Sequence, residues 1–451
     1  LGGVLAAPSI GLSNFMGESF LLNALIALAI GGLTSYPGAA LGSLVVGLLQ
    51  QFIIKYGQIG IPIPFTDIIF KPSPPIVPAS TILLMVIILL ILPNGLLGEK
   101  ELPMNTSRIS STLKSNQGLF VTLLIFLLLP FLVGLFDGAS PVQVWLNESG
   151  QSKFIQGLAI EIFILALFAL SYDLIFGFTG LLSFGHSMFF AVGAYLTGIL
   201  LKSFGLSLGA TFGLILVAGV VQALLFGMVL PRVKGITFAL VTLGMASVFH
   251  VLVLSTELGK YTGSDVGLQG VVTPEWISPA TERLRLYFIT LIILALVFML
   301  YKRFVDSPTG RVCTAIRENE GRAQMLGYNT FYFKLAALML SSLTAALAGG
   351  LHTIYQPIVS PNVAGLGYTV TALLIILIGG VGTLNGALIG AVVFRVLDYG
   401  LRRYIGESAS FINGAVYVVI VLFLPYGIVG TWRLRSMNVR DGWTRFLKMF
   451  G

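Results

Sequence analysis

The chain has 451 residues, 26 of them basic and 18 acidic, so charged side chains make up only 10% of it against 56% hydrophobic, with a mean hydropathy of +0.95. A soluble domain carries about 25% charged residues, and so few charges cannot cover a water-facing surface. A soluble enzyme is excluded, and so is a disordered chain, which would be poor in apolar residues. The net charge of +8 does not describe a nucleic-acid surface, because the basic residues fall in short segments between apolar runs. That distribution marks membrane topology. The 53 glycines suit close-packed membrane helices, and the single Cys313 excludes an intrachain disulfide framework. The chain opens at Leu1 inside an apolar segment without a charged n-region, which predicts a piece of a longer protein rather than a signal peptide.

A hydrocarbon core about 30 Å thick needs about 20 apolar residues as helix. In chain order this predicts the end of a span at 1–8, then spans over 19–31, 37–56, 77–93, 119–136, 154–175, 186–201, 207–230 and 235–255. Further spans are predicted over 285–301, 331–355, 366–380, 386–401 and 411–428. Several are short or interrupted by Gly and Pro, which predicts broken or re-entrant helices buried in protein. Alternate threading places 94–118, Arg232 with Lys234, the loop 302–330 and the tail after 430 on one basic side, expected to be the cytoplasm. Arg402 and Arg403 fall on the other side as a minor exception.

Two stretches match in register. The first, 24–45, reads A-L-I-A-L-A-I-G-G-L-T-S-Y-P-G-A-A-L-G-S-L-V, and the second, 372–393, reads A-L-L-I-I-L-I-G-G-V-G-T-L-N-G-A-L-I-G-A-V-V. Gly31, Gly32, Gly38 and Gly42 align with Gly379, Gly380, Gly386 and Gly390. Each copy is followed by a similar helix end, L-P-N-G-L-L-G at 92–98 and L-P-Y-G-I-V-G at 424–430. Both copies thread in the same direction. The fold class expected is therefore an all-α polytopic membrane protein with two homologous multi-helix units in parallel, pseudo-two-fold arrangement, the first truncated.

The segment 171–195 breaks an apolar helix with Gly177, Gly180, Ser183, Gly185 and His186, then resumes as helix with Gly193. Unwound backbone near the midplane is where polar substrates find partners, and Ser183, Gly185, His186, Ser187 and Gly193 are assigned to a substrate path. The same glycines serve equally well as a helix crossing. The three histidines, His186, His250 and His352, lack ligand-spaced partners, so no metal site is expected. Glu161, Asp173, Arg395 and Asp398 are ionisable groups at membrane depth, with Arg395 and Asp398 spaced as a same-face helical pair.

No phosphate-binding G-x-x-x-x-G-K-[ST] loop occurs, nor any G-x-S-x-G or H-E-x-x-H, so no catalytic residue and no cofactor is assigned. The loop 302–330 is unusual for a connector. Ser307 and Pro308 open a predicted helix, Ala315, Ile316, Ala323 and Leu326 give it an apolar side, and Gly327 ends it. Such a helix lies on the membrane or docks in a partner's groove.

The run G-F-T-G-L-L-S-F-G-H-S-M-F-F-A-V-G-A-Y at 177–195 resembles the signature of membrane permeases of branched-chain amino-acid ABC importers. So do R-V-K-G-I-T-F-A-L-V-T-L-G at 232–244, T-G-S-D-V-G-L-Q-G at 262–270 and S-P-T-G-R-V-C-T-A-I-R-E-N-E at 307–320. The Gly-Gly pair at 379–380 and the ending at 424–430 complete a resemblance to one permease subunit over 119–430, while 1–98 resembles the C-terminal part of its homologous partner subunit. The resemblance implies a multi-pass cell (inner) membrane permease with a cytoplasmic linker at 99–118 and a basic cytoplasmic tail at 431–451. It implies separate cytoplasmic ABC ATPase subunits, an extracytoplasmic solute-binding protein and ATP-driven alternating access. It makes 307–327 the ATPase coupling element, with Ser307, Gly310, Ala315, Arg317, Glu318 and Gly327 as its residues. Urea and short-amide permeases of the same family, and an ion-coupled secondary transporter using Glu161 or Asp173, are the alternatives. No nucleic-acid partner is expected.

Overall fold

Lipid offers no hydrogen bonds to backbone amides, so apolar runs of this length close their own bonds as helices. The computed structural model describes residues 16–32, 35–59, 61–62, 69–70, 76–92, 95–97, 117–138, 140–145, 150–406, 409–424 and 426–432. The predicted helix end at 1–8, and most of the linker 99–118 and the tail 431–451, lie outside the described residues.

Three helices come first: α1 (Met16–Gly31), α2 (Tyr36–Ile59) and α3 (Ile76–Ile91). The larger group begins with α4 (Gln117–Phe136), α5 (Gln151–Asp173), α6 (Ser187–Lys202), α7 (Leu208–Gly227) and α8 (Gly235–Leu254). It continues with α9 (Arg283–Asp306), the short α10 (Pro308–Glu318) and α11 (Glu320–Met325), and α12 (Thr330–Tyr355). It ends with α13 (Leu366–Gly379), α14 (Leu384–Ile405) and α15 (Ala409–Phe423). Among the described residues, 7 helices are long and apolar enough to cross a membrane, and shorter apolar helices such as α6 and α13 pack among them. Each predicted span from 19–31 onward meets a helix, although the last ends at Phe423, earlier than the expected 428.

Long α12 runs through the middle of the larger group, packed along α5, α6 and α7. Small residues let it come close: a side chain at Gly193 of α6 would strike the Ala346 carbonyl, and one at Gly349 would strike the carbonyl of Phe190. Hydroxyls then bond across the crossings. Ser341 donates to Ser171 O at 2.6 Å, Ser342 to Gly219 O at 2.8 Å and Thr353 to Ala194 O at 2.9 Å. Pro130 inside α4 deprives the Phe126 carbonyl of its helical donor, and the Tyr287 hydroxyl of α9 donates to that carbonyl instead. A two-residue antiparallel pair, Leu268–Gln269 with Ile358–Val359, ties the connector before α9 to the one after α12.

The repeat is visible in the packing. Gly31 of α1 lies against the Gly38 carbonyl of α2, as Gly379 of α13 lies against the Gly386 carbonyl of α14. Gly42 sits on the Ala27 carbonyl, as Gly390 sits on that of Ile375. Gly32 and Gly380 both have positive φ, 111° and 124°. Each is capped by a further left-handed glycine, Gly95 and Gly427 respectively. The first helix group meets the second where α3 packs on α8, with Ile82, Met85 and Val86 filling the space over Gly244.

Candidate functional site

The helix α5 does not stop at Asp173 but widens into a π-turn, Leu174–Phe178. The Thr179 hydroxyl donates to Leu174 O at 3.0 Å, and Gly180 turns the chain with φ of 77°. Such π-turns concentrate at functional sites. The chain then runs through Ser183 and Gly185 to His186, the residue before α6. All five residues assigned to a substrate path are interior. Gly185 abuts the Thr242 carbonyl of α8 and Gly193 abuts α12. His186 Nε2 and the Ser171 hydroxyl are 2.8 Å apart. Ser187 N donates to Thr369 Oγ1 at 2.9 Å, and its hydroxyl donates to Ala364 O at 3.2 Å. Ser183 Oγ and His186 Nδ1 are buried with no hydrogen-bond partner among the described residues.

A file of rings passes through this segment. His352 meets Phe190 at 5.4 Å, and Phe190 meets Tyr368 at 4.7 Å and Phe168 at 5.0 Å. Phe168 then meets His186 at 5.3 Å, which meets Tyr172 at 5.0 Å, and Tyr172 meets Phe176 of the π-turn at 5.9 Å. Beside its His352 end lies a charge network that sequence spacing reveals only in part. Arg395 bonds Asp398 at 2.8 Å, the pair its spacing predicts, but it also forms an ion pair with Glu161 of α5. Arg402 and Asn413 complete the shell of Asp398 at 2.8 and 3.0 Å.

At the other end of the file, Asp173 Oδ1 accepts a hydrogen bond from Gly382 N at 2.7 Å, joining the π-turn to the glycine turn between α13 and α14. Arg317 of α10 donates to the Gly177 carbonyl, a helix-end acceptor that the π-turn leaves open. Gly180 faces the same arginine: an added Cβ would stand 2.9 Å from Arg317 Cγ and 3.1 Å from its Cα. A single side chain of α10 therefore holds the turn that opens the 177–195 motif.

The sequence model of a family described as the permease component of branched-chain amino acid transport systems matches residues 154–424, a range that contains every residue of this site. The chain belongs to this family. It is similar to the high-affinity branched-chain amino acid transport permease LivM of Salmonella typhimurium, 26% identical over 345 residues, covering 71% of this chain and 76% of the relative. LivM of Escherichia coli K12 is 25% identical over 300 residues, covering 61% and 70%. LivH of Salmonella typhimurium is 25% identical over 284 residues, covering 59% of this chain and 91% of the relative. No solved structure matches.

Within this permease-family chain the predicted single helix over 307–327 is two helices. Ser307 accepts from Gly310 N at 3.2 Å and Pro308 occupies the first turn of α10 as expected, while Gly310 lets α10 fold back on Phe304 and Val305. Asn319 interrupts the helix: its extended backbone breaks α10, and its side chain accepts from Arg322 N at 2.9 Å to cap α11. Gly327 ends the element with φ of 87°. The apolar side divides in two. Ile316 and Ala323 face inward, whereas Ala315, Leu326 and Met325 are exposed, the last at 83%. Glu318 is exposed and Arg317 half-buried.

Sequence spacing gave no hint of Glu320 as a hub. It pairs with Lys334 at 2.7 Å and Lys234 at 3.9 Å, and accepts from the Thr330 hydroxyl at 3.0 Å. Burial works to raise its carboxyl, but the hydrogen bond and charge of Lys334, with Lys234 beyond, hold it below the usual carboxylate range. Burial also pushes the Cys313 thiol of α10 up to about 11.

Proposed function

We propose that this chain is the membrane path of an ATP-driven importer for aliphatic, branched-chain amino acids, set in the cell (inner) membrane with α10, α11 and the C-terminus in the cytoplasm. Separate ATPase chains dock on α10 and α11, and a solute-binding protein delivers substrate at the opposite end. The observation that carries the reading is the tie from α10 to the motif turn, Arg317 to Gly177 and Asp173 to Gly382. A push on the exposed face of α10 and α11 reaches α5, α13 and α14 without passing through a soft loop. ATP-driven closure of the docked chains then shifts the bundle between outward- and inward-facing states. Residues 1–98 act as the C-terminal part of a first unit whose glycine-packed helix pair, α1 with α2, matches α13 and α14, and 119–430 as the second unit. Ser183, His186 and Ser187 become path-lining groups when the crossings held by Gly185 and Gly193 part.

The test is co-purification of the full chain in detergent with its cognate ATPases, comparing wild type with Met325→Asp and Leu326→Asp. Both side chains are exposed, at 83% and 72%, so the variants leave the packing intact. Loss of the ATPase with retained stability is the expected result. Amino-acid uptake that persists with no ATPase bound would overturn the reading and leave an ion-coupled carrier.

A further inference from the structure

At the end of the bundle opposite α10 lies a cleft of about 690 Å³, with Ala280, Arg283, His352, Gln356, Ile358 and Val363 in its lining. Arg283 opens α9 and Asp306 closes it, so the 24-residue helix separates the cleft from α10 by about 36 Å at 1.5 Å per residue. Apolar walls with a few fixed polar groups in this size range are the usual build of a small-molecule site.

The polar groups are unusually disposed. Arg283 is half-buried and its guanidinium is fixed by two backbone carbonyls: Nε donates to Pro279 O at 3.0 Å and Nη1 to Lys153 O at 3.1 Å. No carboxylate pairs with it among the described residues, although Glu282, next to it in sequence, pairs with Arg285 at 3.1 Å. A held guanidinium with free donors and no protein carboxylate is prepared for a carboxylate from outside. Across the cleft the Gln356 amide nitrogen donates to Glu161 Oε1 at 3.3 Å, which leaves the Gln356 carbonyl oxygen to accept from a ligand ammonium. Ile358, 51% exposed, and Val363 supply an aliphatic wall. His352 also begins the file of rings toward His186.

We infer that this cleft is the first docking site on the chain for an aliphatic amino acid handed over by the solute-binding protein, with the α-carboxylate on Arg283, the ammonium toward Gln356 and the side chain against Ile358 and Val363. This deepens the importer reading above and rests on it for the substrate class. It places a recognition step at the mouth of the chain, before any movement of the helices.

The test uses Ala280→Cys on the full chain in lipid nanodiscs, where Ala280 is exposed on the cleft and the single native thiol, Cys313, is buried. Maleimide labelling of the new cysteine is timed with L-leucine, with leucinamide, which lacks the carboxylate, and with 4-methylpentanoate, which lacks the ammonium. L-Leucine at ten times its apparent Kd should slow labelling about tenfold, 4-methylpentanoate should protect at higher concentration and leucinamide should not protect. Arg283→Gln should abolish protection, and so should Ile358→Trp, which fills the cleft while leaving Arg283 in place. Labelling unchanged by L-leucine overturns the proposal, as does equal protection by leucinamide. Leucine uptake by the ATPase-bound complex is measured in parallel. Uptake without protection removes the cleft and leaves the importer reading standing, whereas protection is read on the chain itself and decides the cleft whatever the uptake.

Discussion

Gly180→Ala tests how rigidly the motif turn is held by α10. Gly180 has φ of 77°, where an L side chain costs about 1–2 kcal/mol. The new methyl would also stand 2.9 Å from Arg317 Cγ and 3.1 Å from its Cα. The Cγ can rotate away, but the Cα moves only with α10 itself. That overpacking adds about 1–3 kcal/mol. Gly205→Ala supplies the control, because Gly205 has a similar φ of 61° and nothing within 4 Å of the added methyl. Thermal unfolding of both variants in detergent separates the two contributions: Gly205→Ala pays the backbone cost alone, and Gly180→Ala pays both. Hydrogen exchange over 308–318 should quicken in Gly180→Ala and not in the control. Equal destabilisation of the two variants, with exchange in α10 unchanged, would refute a rigid link between Arg317 and the turn.

The matched glycine contacts predict matched sensitivities. Gly42→Val and Gly390→Val each drive a side chain into a backbone carbonyl and should cost at least about 1–3 kcal/mol in unfolding experiments, while Gly47→Val, with open space around it, should be neutral. The Glu320 hub predicts an acid-sensitive contribution. Because the folded carboxyl lies below its ordinary value of 4.5, the stabilisation is complete above that pH and is lost as pH falls through the folded value. Wild type and Glu320→Gln should therefore differ in thermal stability at pH 7 and converge below pH 4.5. Cys313, buried and with its thiol pushed up to about 11, should resist maleimide at neutral pH and react promptly once the chain is unfolded.

Apolar length alone reveals the helices of this chain, because lipid leaves the backbone no other economy. The four aligned glycines likewise announce their own contacts, since a crossing that brings a carbonyl against a Cα tolerates nothing larger. The Arg395–Asp398 pair is legible for the same local reason, both residues lying on one face of α14. Contacts set by the fold are a different matter. Arg317 reaches a carbonyl 140 residues away, and nothing near Arg317 names Gly177 as its acceptor. Glu161 is only an ionisable group at membrane depth in the sequence, and nothing near it names Arg395 of α14 as its partner. The break at Asn319 had a local signal, an asparagine placed to cap three residues on, but the apolar spacing of Ile316 and Ala323 carried the helix through it. Arg283 looks like an ordinary loop cation in sequence; only the carbonyls of Pro279 and Lys153 make it a fixed one.

The packing of α3 on α8 brings together helices from the two glycine-matched groups within one polypeptide. Partners on separate chains meet at a rate set by their abundance, and they part on dilution. Here translation itself delivers one of each, and the covalent connection keeps them at a high effective concentration. The order in which the helices enter the bilayer, rather than a search among free subunits, decides which surface α8 first meets.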